Sequence, residues 1–125
     1  MDKKTSSTVA ELIVASKLVE NGFRIYLPHQ ANNKDDDLIA VNIETDNIFR
    51  IQVKSKKDTK KTWSARFFFR NIQKKANKTW IFILYEHPTG KTYIVPSNDL
   101  AKQKSNTKGF SDENEKYLDR WDLLK

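Results

Sequence analysis

Asp37-Leu38-Ile39-Ala40-Val41 and Ile48-Phe49-Arg50-Ile51-Gln52-Val53-Lys54 decide the architecture. Both segments are rich in β-branched and aromatic residues, and Glu44-Thr45-Asp46-Asn47 supplies a turn between them. They read as an antiparallel hairpin with a loop of about 4–6 residues. Side chains alternate along a strand. Phe49, Ile51 and Val53 therefore face a core, while Arg50, Gln52 and Lys54 share the opposite face. Alternation alone makes those three co-facial in any such strand. It does not explain an aspartate at one strand entrance and a lysine at its neighbour's exit, next to a very basic segment.

Upstream, Val9, Leu12, Ile13 and Ala15 to Leu18 follow a helical stripe over Thr8 to Asn21. Ser7 or Thr8 is an N-cap candidate, and Thr8 with Glu11 fits a capping box. Asn21-Gly22 stops the helix. Phe23 to Leu27 reads as a strand ended by Pro28, and His29 to Asp36 as a polar loop. Downstream, Lys54 to Arg66 is the strongest charge run, read as a loop or a strand extension. Phe67 to Phe69 fits core or edge, and Asn71 to Asn77 a short helical link. Trp80 to Tyr85 is nearly all apolar and reads as a central strand. Pro88-Thr89-Gly90 turns the chain into a strand over Lys91 to Val95. Ser97-Asn98-Asp99 caps a short helix, and Lys102 to Ser111 is loop. Glu113 to Leu124 reads as a final helix docking Tyr117, Trp121 and Leu124 on the sheet. No repeat or linker divides the chain, so one α/β domain over residues 1–125 is expected: a central mixed sheet flanked by helices.

Bulk properties narrow the function. A chain of 125 residues, 38% hydrophobic, buries one modest core. Its 23 Lys plus Arg against 16 Asp plus Glu give a formal charge of +7, which favours a polyanionic partner, nucleic acid first. The absence of cysteine excludes disulfides, thiolate catalysis and Cys-bound zinc. The longest apolar run is far too short to span a bilayer, and the first residues carry no apolar signal core. An intracellular, cytoplasmic protein with no membrane role is the expectation.

Asp37, Gln52 and Lys54 can surround one phosphate. A hard divalent cation takes oxygen ligands. Asp37 supplies a carboxylate, Gln52 an amide oxygen, Val53 its backbone carbonyl, and Glu11 a carboxylate, directly or through water. Lys54 can stabilise charge developing on phosphorus. The plainer alternative makes Asp37 a turn residue and leaves Gln52 and Lys54 in solvent. Lys56, Lys57, Lys60, Lys61 and Arg66, with Trp63 interleaved, can contact phosphates and stack on a base; a merely solvated loop is the competing reading. Arg50 and Ser55 are lesser candidates for the nucleic-acid face. His29, in the loop before Asp37, can orient phosphate or water, with a spectator the plainer reading; His87-Pro88 reads as a turn.

The succession helix Glu11, Gly22, Pro28, Asp37-Leu38-Ile39 and Gln52-Val53-Lys54-Ser55 resembles the PD-(D/E)XK nuclease superfamily. The resemblance is nearest the group I intron homing endonuclease branch and more distant to archaeal Holliday junction resolvases. It rests on residues 7–56. It implies a restriction-endonuclease-like fold and a Mg²⁺-dependent endodeoxyribonuclease (Mn²⁺ substituting) acting on duplex or branched DNA as a homodimer or higher oligomer. Glu11 matches the first-helix glutamate, Asp37 the metal aspartate, Gln52 the central acid and Lys54 the lysine. The departure is Gln52, which removes one negative ligand. A non-catalytic DNA-binding module of the same fold is the alternative implied.

Overall fold

The structure is a computed structural model that describes residues 2–27, 37–57, 62–64, 76–101, 107–109 and 112–125, with the backbone alone at 62–64, 107–109 and 112–114. The expectations for Pro28 and the loop from His29 to Asp36, and those at Lys60, Lys61, Arg66, Phe67 to Phe69 and most of the 71–77 link, lie outside the described residues.

Helix α1 spans Lys3–Glu20, five residues earlier than its expected start. Asp2 caps it, accepting from the Thr5 amide at 2.7 Å. The hydroxyls of Ser6, Ser7 and Thr8 fold back onto the carbonyls of Lys3 and Lys4, which lets a polar run continue as helix. Ser6, Ala10, Val14 and Leu18 form its buried stripe. The helix ends at Asn21, and Gly22 (φ +93) takes the left-handed turn that a glycine adopts at little cost.

Strands β1 (Phe23–Tyr26), β2 (Leu38–Asn42) and β3 (Ile48–Lys56) form an antiparallel meander. At the β2–β3 turn the Asn42 side chain accepts from the amides of Glu44 and Thr45, and Asp46 takes a positive φ of 61. A three-residue strand β4 (Thr62–Ser64) follows. Strand β5 (Trp80–Glu86) lies parallel to β3, and β6 (Thr92–Pro96) returns antiparallel to β5. The sheet order is β1-β2-β3-β5-β6, a mixed sheet as expected, with β5 buried along its whole length.

One face carries α1 over Leu38, Ala40, Phe49, Ile51, Val53, Ile81, Ile83 and Ile94. The other carries a smaller cluster of Trp80, Phe82, Leu84, Tyr93 and Val95 under Leu100 of α2 (Ser97–Ala101) and Tyr117. Ser97 sits at the start of α2, but its buried hydroxyl exchanges bonds with the backbone of Asn77.

Two expectations are corrected. The stretch 102–111 is not all loop: Thr107–Gly109 forms β7, paired antiparallel to β4. That strand exists through a distant partner and has no local apolar pattern to announce it. The final helix is instead two 3-10 segments, Asp112–Tyr117 and Trp121–Leu123, broken at Asp119 (φ 52). Tyr117 and Leu124 are both buried, but on opposite faces of the sheet. A continuous helix would have put both on one stripe.

Candidate active site

Backbone direction builds the site before any side chain is considered. The Arg50 amide bonds the Thr79 carbonyl and the Lys56 carbonyl accepts from His87, so even-numbered residues of β3 address β5. Odd-numbered residues address β2. That neighbour begins only at Leu38, opposite Ile51. Beyond Ile51 the backbone groups of Val53 therefore point past the end of β2. Asp37 fills that place: its amide donates to the Ile51 carbonyl at 2.8 Å, and its carboxylate accepts from the Val53 amide at 2.8 Å. The carboxylate continues the ladder where the strand has stopped. The Val53 carbonyl is aimed to the same side as its amide.

Glu11 reaches this point from α1. Because the helix starts at Lys3, Glu11 lies in its middle, and the capping-box role is removed. Burial pushes its carboxyl above the usual carboxylate range, and the neighbouring Asp37 charge pushes it further. Lys54 arrives from the exit of β3. Burial pushes its ammonium below the usual lysine range; Asp37 opposes that shift, and Lys3 adds to it. Asp37 is thus the shared neighbour of an acid and a base.

Gln52 lies on the face of β3 opposite α1, in register with Phe82. It is 8% exposed, and its Oε1 has no hydrogen-bond partner among the described residues. A buried amide oxygen left without a donor is costly, so this acceptor fits a ligand that brings positive charge. The desolvated Glu11 beside Asp37 has the same need. Two carboxylates, an amide oxygen and a backbone carbonyl are hard donors suited to Mg²⁺. The set is one carboxylate short of a charge-rich site. Among the described residues no three of His, Cys, Asp and Glu form a metal-holding group.

The remaining candidates separate. Arg50 is half-buried with its guanidinium 5.7 Å from the Trp80 ring centroid. Ser55 falls on the α1 face, in register with Tyr85 and opposite to Lys54. Lys56 belongs to β3 rather than to a loop, and its ammonium pairs with Glu86 at 3.3 Å with the side chain 9% exposed. An exposed phosphate contact is not its position. Lys57 is exposed and lies near enough to Asp2 to lower that carboxyl, after the larger effect of the Thr5 bonds. Trp63 stands in β4, register-paired with Lys108. His87 stacks edge-on to Tyr85 at 5.0 Å, and its Nε2 is buried without a partner among the described residues. Lys3 is the cation that sequence reading missed; a helix start at Asp2, an ordinary N-cap type, would have revealed it.

A family model described as PD-(D/E)XK endonuclease matches residues 1–117. No curated protein matches the chain. Among solved structures, a bacterial homing endonuclease, I-Ssp6803I, superposes with a TM-score of 0.75 at 14% identity, covering 98% of this chain and 91% of that one. Hjc, a Holliday junction resolvase from the archaeon Archaeoglobus fulgidus, superposes with a TM-score of 0.62 at 16% identity, covering 94% of each chain. The mixed sheet with its helices is the restriction-endonuclease-like fold of these neighbours.

Proposed function

The chain belongs to the PD-(D/E)XK endonuclease family, and from that premise we propose that it is a metal-dependent endodeoxyribonuclease. It acts on duplex or branched DNA inside the cell and uses Mg²⁺, with Mn²⁺ as a substitute. The observation that carries the reading is the Asp37 carboxylate, fixed on the Val53 amide at 2.8 Å between Glu11 and Lys54. A nuclease of either neighbouring kind acts on nucleic acid, and the charge of +7 favours such a partner.

In hydrolysis, a water oxygen forms a bond to phosphorus, the phosphorus bond to the leaving oxygen breaks, and that oxygen takes a proton. Asp37, Gln52, the Val53 carbonyl and Glu11 would hold the ion. A bound divalent ion supplies Lewis acidity and a more acidic water. Lys54 stabilises the negative charge that grows on the phosphoryl oxygens. The burial that lowers its pKa also makes it a better proton donor than an exposed lysine. Lys3 and Lys57 extend the positive surface beside it and hold phosphates without reading sequence.

Supercoiled plasmid and a synthetic four-way junction, each with Mg²⁺ or Mn²⁺, test the reading. Asp37→Ala and Lys54→Ala are each expected to lower cutting by about 10²-fold or more, with DNA binding retained. Gln52 favours a second reading, a DNA-binding module with weakened metal chemistry. Metal-independent binding with no cutting of any substrate by the intact protein would select it.

A further inference from the structure

Every charged residue of strands β1 to β3 is basic: Arg24, Arg50, Lys54 and Lys56. All four lie on one face. Phe23, Ala40 and Ile51 pack toward α1. Alternation therefore turns Arg24 and Tyr26, Ile39 and Val41, Arg50 and Lys54 to the other side. Over β5 and β6 that side is roofed by Leu100 and Tyr117. Over β1 and β2 it is more open: Tyr26, Ile39 and Val41 belong to neither buried cluster, and Tyr26 is 49% exposed. Ile48, at the start of β3, is 57% exposed on the same side.

The register sets these groups in two rows. Tyr26, Ile39 and Arg50 stand side by side across three strands, and Arg24, Val41 and Ile48 form the next row. Two chemistries are thus mixed on one surface. Arginine guanidiniums suit phosphate. A half-exposed tyrosine ring among aliphatic neighbours suits a flat apolar partner. A duplex offers phosphates and groove edges but hides the faces of its bases in the stack. An unpaired strand offers both, a charged backbone and bases free to stack on a ring.

We propose that this half of the sheet is a platform for an unpaired DNA strand, with a base stacked on Tyr26 and phosphates on Arg24 and Arg50. The strand leads into the site, because Arg50, Gln52 and Lys54 share one face of β3. Tyr26 is two strand spacings from Arg50, about 10 Å, and Lys54 is about 13 Å further along β3. A few nucleotides span that path. The substrate class is therefore DNA in which a single-stranded arm adjoins the scissile phosphate, rather than uninterrupted duplex.

The platform rests on the nuclease reading for its ligand. Fluorescence anisotropy of a dye-labelled duplex, blunt or carrying an oligothymidine tail at either end, tests it. The full chain is used without divalent ion, with thermal melts to verify folding. The tailed duplex is expected to bind about tenfold or more tightly than the blunt one. Tyr26→Ala removes that advantage, and Tyr26→Phe keeps it, since the ring stacks without its hydroxyl. Arg24→Ala weakens tail binding and reduces its salt dependence by about one phosphate contact. Equal affinity for tailed and blunt duplex overturns the platform and leaves this face to a protein partner. An advantage that survives Tyr26→Ala overturns it as well, and loss in both Tyr26 variants overturns the stacking. If neither duplex binds and no DNA is cut with Mg²⁺ or Mn²⁺, the nuclease reading falls and the platform with it; cutting without a tail advantage overturns the platform alone.

Discussion

At the scale of single residues, the site is built from groups that the fold alone would not choose. Burial and the neighbouring Asp37 charge both raise the pKa of Glu11. A carboxyl whose folded pKa lies above its unfolded value favours the folded state most below the unfolded pKa. That contribution is lost as pH rises through the folded pKa. Glu11→Gln is therefore expected to raise the melting temperature at neutral pH while lowering cutting; as pH falls toward the carboxylate range the gain disappears. A variant that melts below wild type at neutral pH would show that Glu11 supports the fold. Gln52→Glu is the complementary change. It supplies the missing charge, so divalent-ion affinity measured by calorimetry should rise on the order of tenfold, while the ion-free protein loses stability. The placement of Asp37 at a strand entrance and of Gln52 and Lys54 on one face of β3 was legible because period-two alternation and a strand entrance are local facts. The orphaned Gln52 oxygen was not, since it depends on Phe82 and the layer above it.

At the scale of elements, errors in the sequence reading follow where local chemistry misleads. Ser7 and Thr8 look like caps, yet their hydroxyls bond back into the helix and α1 starts at Lys3. Tyr117, Trp121 and Leu124 are spaced as a helical stripe, but the chain divides them between two faces of the sheet. Lys56 looked like one more cation of a basic loop, because Glu86 comes beside it only when β3 and β5 pair. That bridge is nearly buried, and the Thr89 hydroxyl gives Glu86 a second bond at 2.7 Å. Lys56→Ala leaves the Glu86 charge without its cation and is expected to cost about 3–5 kcal/mol by denaturant unfolding. Replacing both partners, Lys56→Met with Glu86→Leu, should recover most of that loss. Equal destabilisation by the single and double changes would mean that the bridge itself, not an isolated charge, carries the stability.

At the scale of the whole molecule, the mixed sheet was legible because its strands are separated by clear turns, while β4 and β7, which among the described residues pair with each other alone, were not. No helix among the described residues is long and apolar enough to cross a membrane. The order of the chain through the sheet has a kinetic consequence. Strands β1 to β3 meet through connections local in sequence, whereas β3 finds β5 only after the whole stretch from Lys56 to Trp80 has closed. Closure of a long loop must precede the contacts that reward it, which slows parallel pairing. Glu11, Asp37, Gln52 and Lys54 all belong to the early half. Neighbouring amides of one strand can time the two events, since Val53 donates to Asp37 and Arg50 to Thr79. In pulse-labelled refolding, Val53 is expected to gain protection before Arg50. Simultaneous protection would mean that the half holding these four residues has no independent start.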